Sequence, residues 1–114
     1  MSVKLSTRQV GDVSVVDVAG RITLGEGSSA LRDTLRDMVG KNHKKILLNL
    51  EEVSYIDSSG IGELVSGFTT VTSQGGQLKL LKLTKRVKDL LQITKLYTVF
   101  DVHDDEAAAV RSFA

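Results

Sequence analysis

Apolar residues along the chain follow two rhythms, and the change from one to the other marks the elements. Val3 to Val10 and Val13 to Ala19 are runs rich in β-branched residues, separated by Gly11-Asp12. A two-residue connection led by Gly suits a type II′ turn, so an N-terminal antiparallel hairpin is predicted. After Gly20, the stretch Arg21 to Gly27 reads as irregular, and Leu31, Leu35, Met38 and Val39 then recur at helical spacing. Ser28 or Ser29 is the expected N-cap of that helix, and Gly40 its expected end.

Ile46-Leu47-Leu48-Asn49-Leu50 is almost continuously apolar, the pattern of a mid-sheet strand covered on both faces. From Ile61 a second helix sets Leu64, Val65, Phe68 and Val71 against Glu63, Ser66, Thr70 and Ser73 on the opposite face, until Gly75-Gly76 stops it. Leu78 to Leu83 is predicted as a strand, Thr84 as the N-cap of a helix burying Val87, Leu90 and Leu91, and Tyr97 to Val102 as the last strand. Asp104, Asp105 and Glu106 suit a helix N-terminus, with Ala107, Val110 and Phe113 on the buried side. The order β-β-α-β-α-β-α-β-α implies an α/β fold: a mixed, mostly parallel sheet of about five strands with right-handed crossovers and about four helices.

Composition narrows the function more than the fold. With 114 residues, 41% of them hydrophobic, and no Pro, repeat or low-complexity tract to mark a linker, a single domain over 1–114 is expected. Fifteen Lys and Arg against fourteen Asp and Glu leave a charge of +1, which draws the chain to neither nucleic acid nor anionic lipid. No Trp and only two Tyr and three Phe leave no aromatic platform for single-stranded nucleic acid. The absence of Cys excludes disulfides and thiolate metal sites and suits a reducing compartment. No segment reaches the roughly 18 apolar residues of a membrane span, and the first residues lack a signal-peptide stretch. A cytoplasmic protein is expected.

Asp57-Ser58-Ser59-Gly60-Ile61-Gly62 falls between the buried strand and the second helix, at the carboxyl edge where open α/β sheets place their sites. Unpaired N–H groups and the positive end of the helix dipole favour an anion there. Any of Asp57, Ser58 and Ser59 is a plausible helix cap. Neither serine, however, has the Glu or Gln three residues on that completes a capping box. Gly60 and Gly62 each cost roughly 1 kcal/mol of helix propensity relative to Ala, which points to a need for bare backbone, such as close approach of a partner.

The string Leu48-Asn49-Leu50-Glu51-Glu52-Val53-Ser54-Tyr55-Ile56-Asp57-Ser58-Ser59-Gly60-Ile61-Gly62 closely resembles the signature of the STAS family of anti-sigma-factor antagonists. Val18-Ala19-Gly20-Arg21-Ile22, Gly75-Gly76 and Leu90 to Leu96 extend the likeness over nearly the whole chain. The resemblance implies a STAS-like domain that is not an enzyme. It further implies phosphorylation of Ser58 by a partner that is both anti-sigma factor and serine kinase, with reversal by a metal-dependent serine phosphatase. Asp57, Ser59, Gly60 and Gly62 are then the surrounding partner-binding surface; ATP belongs to the kinase, and the domain itself holds no cofactor or metal. Unphosphorylated, such a protein binds the anti-sigma factor and releases the sigma factor. The choice of Ser58 over Ser59 comes from the resemblance, since spacing allows either. Thr23-Leu24-Gly25-Glu26-Gly27 departs from the family by lacking an early acidic residue, and Glu63 stands where members carry an apolar or small one. The alternatives are an unphosphorylated STAS scaffold or regulatory subunit of a signalling or transport complex, and a small-ligand or nucleotide binder.

Other signals are weaker. A receiver domain phosphorylated on Asp57 needs an adjacent acidic pair for magnesium, and only the separated Asp12 and Asp17 are on offer. Lys79, Lys82, Lys85, Arg86 and Lys88 read as a solvated face, and His43 and His103 as surface residues without metal-site spacing. Gly25-Glu26-Gly27 lacks the Lys of a P-loop, and no geometry for a Ser-His-Asp triad is implied.

Overall fold

A computed structural model describes residues 3–113. Along the chain lie β1 (Val3–Val10), β2 (Val13–Ile22), α1 (Glu26–Gly40), β3 (Lys45–Ile56), α2 (Ser58–Ser73), β4 (Gln77–Leu81), α3 (Lys85–Ile93), β5 (Val102–His103) and α4 (Glu106–Arg111). The sheet order is β1-β2-β3-β4-β5, antiparallel between β1 and β2 and parallel elsewhere, as the pattern predicts. Gly11 has φ +62° and Asp12 keeps a negative φ, which is the backbone of a II′ turn.

β3 carries apolar residues on both faces because both are covered. Val16, Val18, Leu48, Leu50, Leu78 and Leu80 meet Leu31, Leu35, Ile61, Leu64, Val87 and Leu91 from the three longer helices. On the other face Val13, Val15, Leu47 and Leu81 meet Ala109 and Phe113, with Val10 and Val110 packed beside them. β3 also runs well past the predicted Leu50. From Asp17 to Arg21 β2 advances four residues while β3 advances six, from Asn49 to Tyr55. Those extra residues bend the ladder as bulges do and carry Tyr55, Ile56 and Asp57 to the sheet edge beside Ile22.

Several predicted boundaries move, each for a local reason. The first helix starts at Glu26 behind Gly25 (φ +100°), without a side-chain cap from Ser28 or Ser29; Ser28 is buried. Gly40 is its last residue rather than its stop, and the chain turns at Asn42 with φ +65°. The second helix begins at Ser58 rather than Ile61. β4 ends at Leu81 because Lys82 turns to φ +56°. Tyr97 to Val102 is not a strand: Leu96 and Tyr97 donate their N–H groups to the Leu91 carbonyl, closing α3, and only Val102–His103 pair with β4. Its apolar residues are used in packing, with Phe100 buried edge-on against Phe68 at 5.4 Å. On α4 the buried residue is Ala109, and Ala107 is exposed.

Candidate functional site

Asp57 joins the two loops at the carboxyl ends of β2 and β3. Its backbone is extended (φ −113°, ψ −174°) and its N–H donates to the Ile22 carbonyl at 3.3 Å, continuing the parallel ladder by one bond. The carboxylate is the N-cap of α2, accepting the Gly60 N–H at 3.0 Å and the Ser59 hydroxyl at 2.6 Å on one oxygen. Its other oxygen accepts the Leu24 N–H at 3.0 Å, from the loop that precedes α1. Partial burial opposes ionisation of this carboxyl, but the Ser59 hydroxyl and the N–H groups of Gly60, Leu24 and Ser59 outweigh it and hold the pKa below the ordinary carboxylate value.

The two serines are therefore differently placed. Ser59 is half-buried and its hydroxyl is given to Asp57. Ser58, the first residue of α2, is exposed, and among the described residues no group hydrogen-bonds its hydroxyl. The two glycines are different as well. A Cβ on Gly60 would lie 2.4 Å from the Ile22 carbonyl oxygen, so this glycine is required by the packing of α2 on β2 and is buried. One on Gly62 would meet nothing within 4 Å. Bare backbone thus has an internal cause at Gly60 that the sequence did not disclose.

Around Ser58 the surface carries features that the sequence reading passed over. Leu24 is 81% and Ile93 76% exposed, unusual for large apolar side chains. Ile93 was detectable as an apolar residue off the Val87–Leu91 stripe of α3. A groove beside Ser58 is lined by Tyr55, Arg86, Asp89, Leu90 and Ile93. Within it Arg86 lies over the Tyr55 ring with its guanidinium carbon 4.2 Å from the centroid, and Arg21 stands over the same ring at 4.7 Å. Glu63, one of the departures, pairs at 3.5 Å with Arg32 and ties α2 to α1.

Other candidates resolve into structure. Asp12 pairs with Lys45 at the hairpin, the opposite end of β2 from Asp57, and Asp17 pairs with Arg8 and Asn49, so no acidic pair adjoins Asp57. The basic stretch does not form one face: Lys79 is buried, bound to Asp101 at 2.9 Å and to the Ser112 hydroxyl at 2.9 Å, while Lys85 pairs with Asp89. His43 is half-buried rather than on the surface, with Nδ1 2.7 Å from the Ser14 hydroxyl. That hydroxyl donates to Gln9 at 2.6 Å, which makes the ring nitrogen the donor to Ser14, and Ser14 is 1% exposed. A nucleophile needs the reverse arrangement. Among the described residues no group of three His, Cys, Asp or Glu is placed to hold a metal ion, and no helix is long and apolar enough to cross a membrane.

An extended carboxyl edge, an aspartate cap and a following pair of serines on a β-β-α-β-α-β-α-β-α sheet define the class to which known proteins can be compared. The family model for the STAS domain matches residues 4–109. The anti-sigma-B factor antagonist of Bacillus subtilis is 32% identical over 90% of this chain and 92% of its own length. By structure, an anti-sigma factor antagonist from Mycobacterium paratuberculosis aligns with a TM-score of 0.85 at 17% identity, over 98% of this chain and 94% of that one. The anti-sigma factor antagonist SpoIIAA aligns in its unphosphorylated form at 0.80 and 20% identity, over 97% and 99% of the two chains. The chain belongs to the STAS-domain family of anti-sigma factor antagonists.

Proposed function

We propose that this domain is a phosphorylation-gated partner switch, with Ser58 as the gate. Unphosphorylated, it binds an anti-sigma factor that is also its serine kinase, and so frees a sigma factor. The observation that carries this reading is the exposed, unengaged hydroxyl of Ser58, in one groove with the exposed Ile93 and next to Asp57, which holds the N–H of the exposed Leu24. Asp57, Ser59, Gly60 and Gly62 form the surroundings of that hydroxyl. Of these, Gly62 offers bare outer surface, whereas Asp57, Ser59 and Gly60 set its geometry from beneath. SpoIIAA, similar in fold, is known in a phosphorylated form as well as an unphosphorylated one, which also supports the reading.

In the transfer, the Ser58 Oγ forms a bond to the γ-phosphorus of the kinase's ATP, the bond from that phosphorus to the β–γ bridging oxygen breaks, ADP leaves, and the hydroxyl proton passes to a base on the kinase. The product carries about −1.5 to −2 added charges in a patch whose flanks are apolar. Burying that charge against a partner is unfavourable without a cation opposite, so phosphate weakens the complex while the domain keeps its shape. A metal-dependent serine phosphatase resets the gate.

Incubation with the cognate kinase and ATP, followed by peptide mass mapping, is expected to place the phosphate on Ser58. Ser58→Ala is expected to bind the partner permanently, and Ser58→Asp to bind it poorly. A domain that binds its partner and is never modified would instead be a scaffold, and normal binding by Ser58→Asp would sink the gate.

A further inference from the structure

The two arginines at Tyr55 have a property the gate itself does not require. Arg86 leaves the first turn of α3 and lines the groove that also contains Ser58. Its guanidinium lies 4.2 Å from the Tyr55 ring centroid, and that of Arg21 4.7 Å from the same centroid. Neither has a carboxylate partner among the described residues. Other cations near carboxylates are taken up by them: Arg8 is bound by Asp17 and Glu106, Arg32 by Glu63, Lys79 by Asp101 and Lys85 by Asp89. Two like charges gathered on one ring and left without an acid are an arrangement that a dianion completes.

Position over an arene also suits such a task. Neither guanidinium donates a hydrogen bond among the described residues, so their N–H groups are free to match the oxygens of a phosphate. The carboxylates that line the groove and oppose an anion are both engaged: Asp57 as the helix cap, Asp89 by Lys85 at 2.7 Å.

We propose that Arg86, held with Arg21 over Tyr55, is an intramolecular clamp that receives the phosphate on Ser58 and holds it in the groove between α2 and α3. The clamp rests on the reading of Ser58 as the modified residue. It gives the phosphorylated state a fixed form, with the dianion drawn toward the Arg86 guanidinium instead of turning freely in solvent. Arg86 is a positioning residue, not a catalytic one, and its exposure lets it be replaced without disturbing the core.

The test uses the full chain with phosphoserine introduced at position 58 by nonsense suppression, so it does not depend on any kinase. The second ionisation of the phosphate, near pH 6 for an unhindered phosphoserine, is followed by phosphorus NMR. A cation within about 5 Å in water favours the dianion by roughly half a pH unit. Arg86→Gln is therefore expected to raise that ionisation by about half a unit, Arg86→Lys to restore part of it, and Arg21→Gln to raise it less. The α2 N-terminus acts equally in all variants, so the differences isolate the arginines. An ionisation unmoved by Arg86→Gln overturns the clamp even if Ser58 is a kinase substrate. Failure of any kinase to modify Ser58, by contrast, removes the gate while this titration still reports on the groove.

Discussion

Gly60 and Gly62 open α2 two residues apart, and alanine at each separates internal packing from outer surface. A Cβ on Gly60 would lie 2.4 Å from the Ile22 carbonyl oxygen, 2.7 Å from Ile56 Cγ1 and 2.9 Å from Ile22 Cγ2. The nearest of these is backbone held in the parallel ladder of β2 and β3, so it cannot rotate away. The helix must lift by roughly 1 Å to reach ordinary contact, pulling the Gly60 N–H from Asp57. Overpacking of this kind costs about 1–3 kcal/mol, and the better helix propensity of Ala returns at most about 1 kcal/mol. A net loss of about 1–2 kcal/mol follows. At Gly62 nothing lies within 4 Å and φ is not positive, so Ala contributes a few tenths of a kcal/mol up to about 1. Urea unfolding monitored by circular dichroism reads both. With a slope of about 1–3 kcal/mol per molar, Gly60→Ala lowers the midpoint by about 1 M and Gly62→Ala raises it slightly. An unchanged midpoint for Gly60→Ala would refute the packing argument, and equal loss at both positions would refute the distinction. Under the proposed function Gly62→Ala, though stable, binds the partner more weakly.

Two other perturbations test the surroundings. Hydrogen bonds from Arg8 hold the carboxyls of Asp17 and Glu106 below their ordinary pKa, so their contribution to stability is full above about pH 5 and is lost as pH falls through the lowered values. Arg8→Ala should therefore be less stable than the parent near neutral pH, with the gap closing in acid; a pH-independent gap in unfolding midpoint would count against the ion pairs. Leu24→Ala and Ile93→Ala, both at highly exposed positions, should change stability by less than about 0.5 kcal/mol and weaken partner binding by about 1 kcal/mol or more, measured by titration calorimetry. Unaltered affinity in both would remove the apolar flanks from the interface.

What the sequence revealed and what it hid have a common physical basis. Period-two and helical patterns report burial, which placed the central Ile46–Leu50, the body of α2 and most of β2, while β1, with no buried residue, was legible from its β-branched content. Tyr97 to Val102 failed because a short apolar run records burial without recording backbone shape, and here Lys95 at φ +62° commits the chain to a turn. The geometry of the site was hidden for a different reason. Its order depends on groups far apart in sequence: the Leu24 N–H on Asp57, Arg32 on Glu63, Arg21 and Arg86 on Tyr55. No local pattern encodes such pairs. Neither serine has the Glu or Gln of a capping box, whereas Asp57 caps without one, with the Ser59 hydroxyl supplying the extra donor.

That division of labour bears on which serine can act as a gate. A carboxylate has lone pairs enough for the Gly60 and Leu24 N–H groups and the Ser59 hydroxyl at once; a serine cap in its place would have spent its own hydroxyl on the helix. With Asp57 as cap, Ser58 is left at the first helical position with nothing to lose. Phosphate on Ser58 breaks no hydrogen bond of the domain. Phosphate on Ser59 breaks the 2.6 Å bond to Asp57 and sets a dianion against a carboxylate already ionised by its donors, which weakens the cap and the link to the Leu24 loop together. The three hydrogen bonds that Asp57 accepts, one of which joins the two loops, thus leave Ser58 as the serine whose modification, under the proposed function, alters the surface and spares the fold.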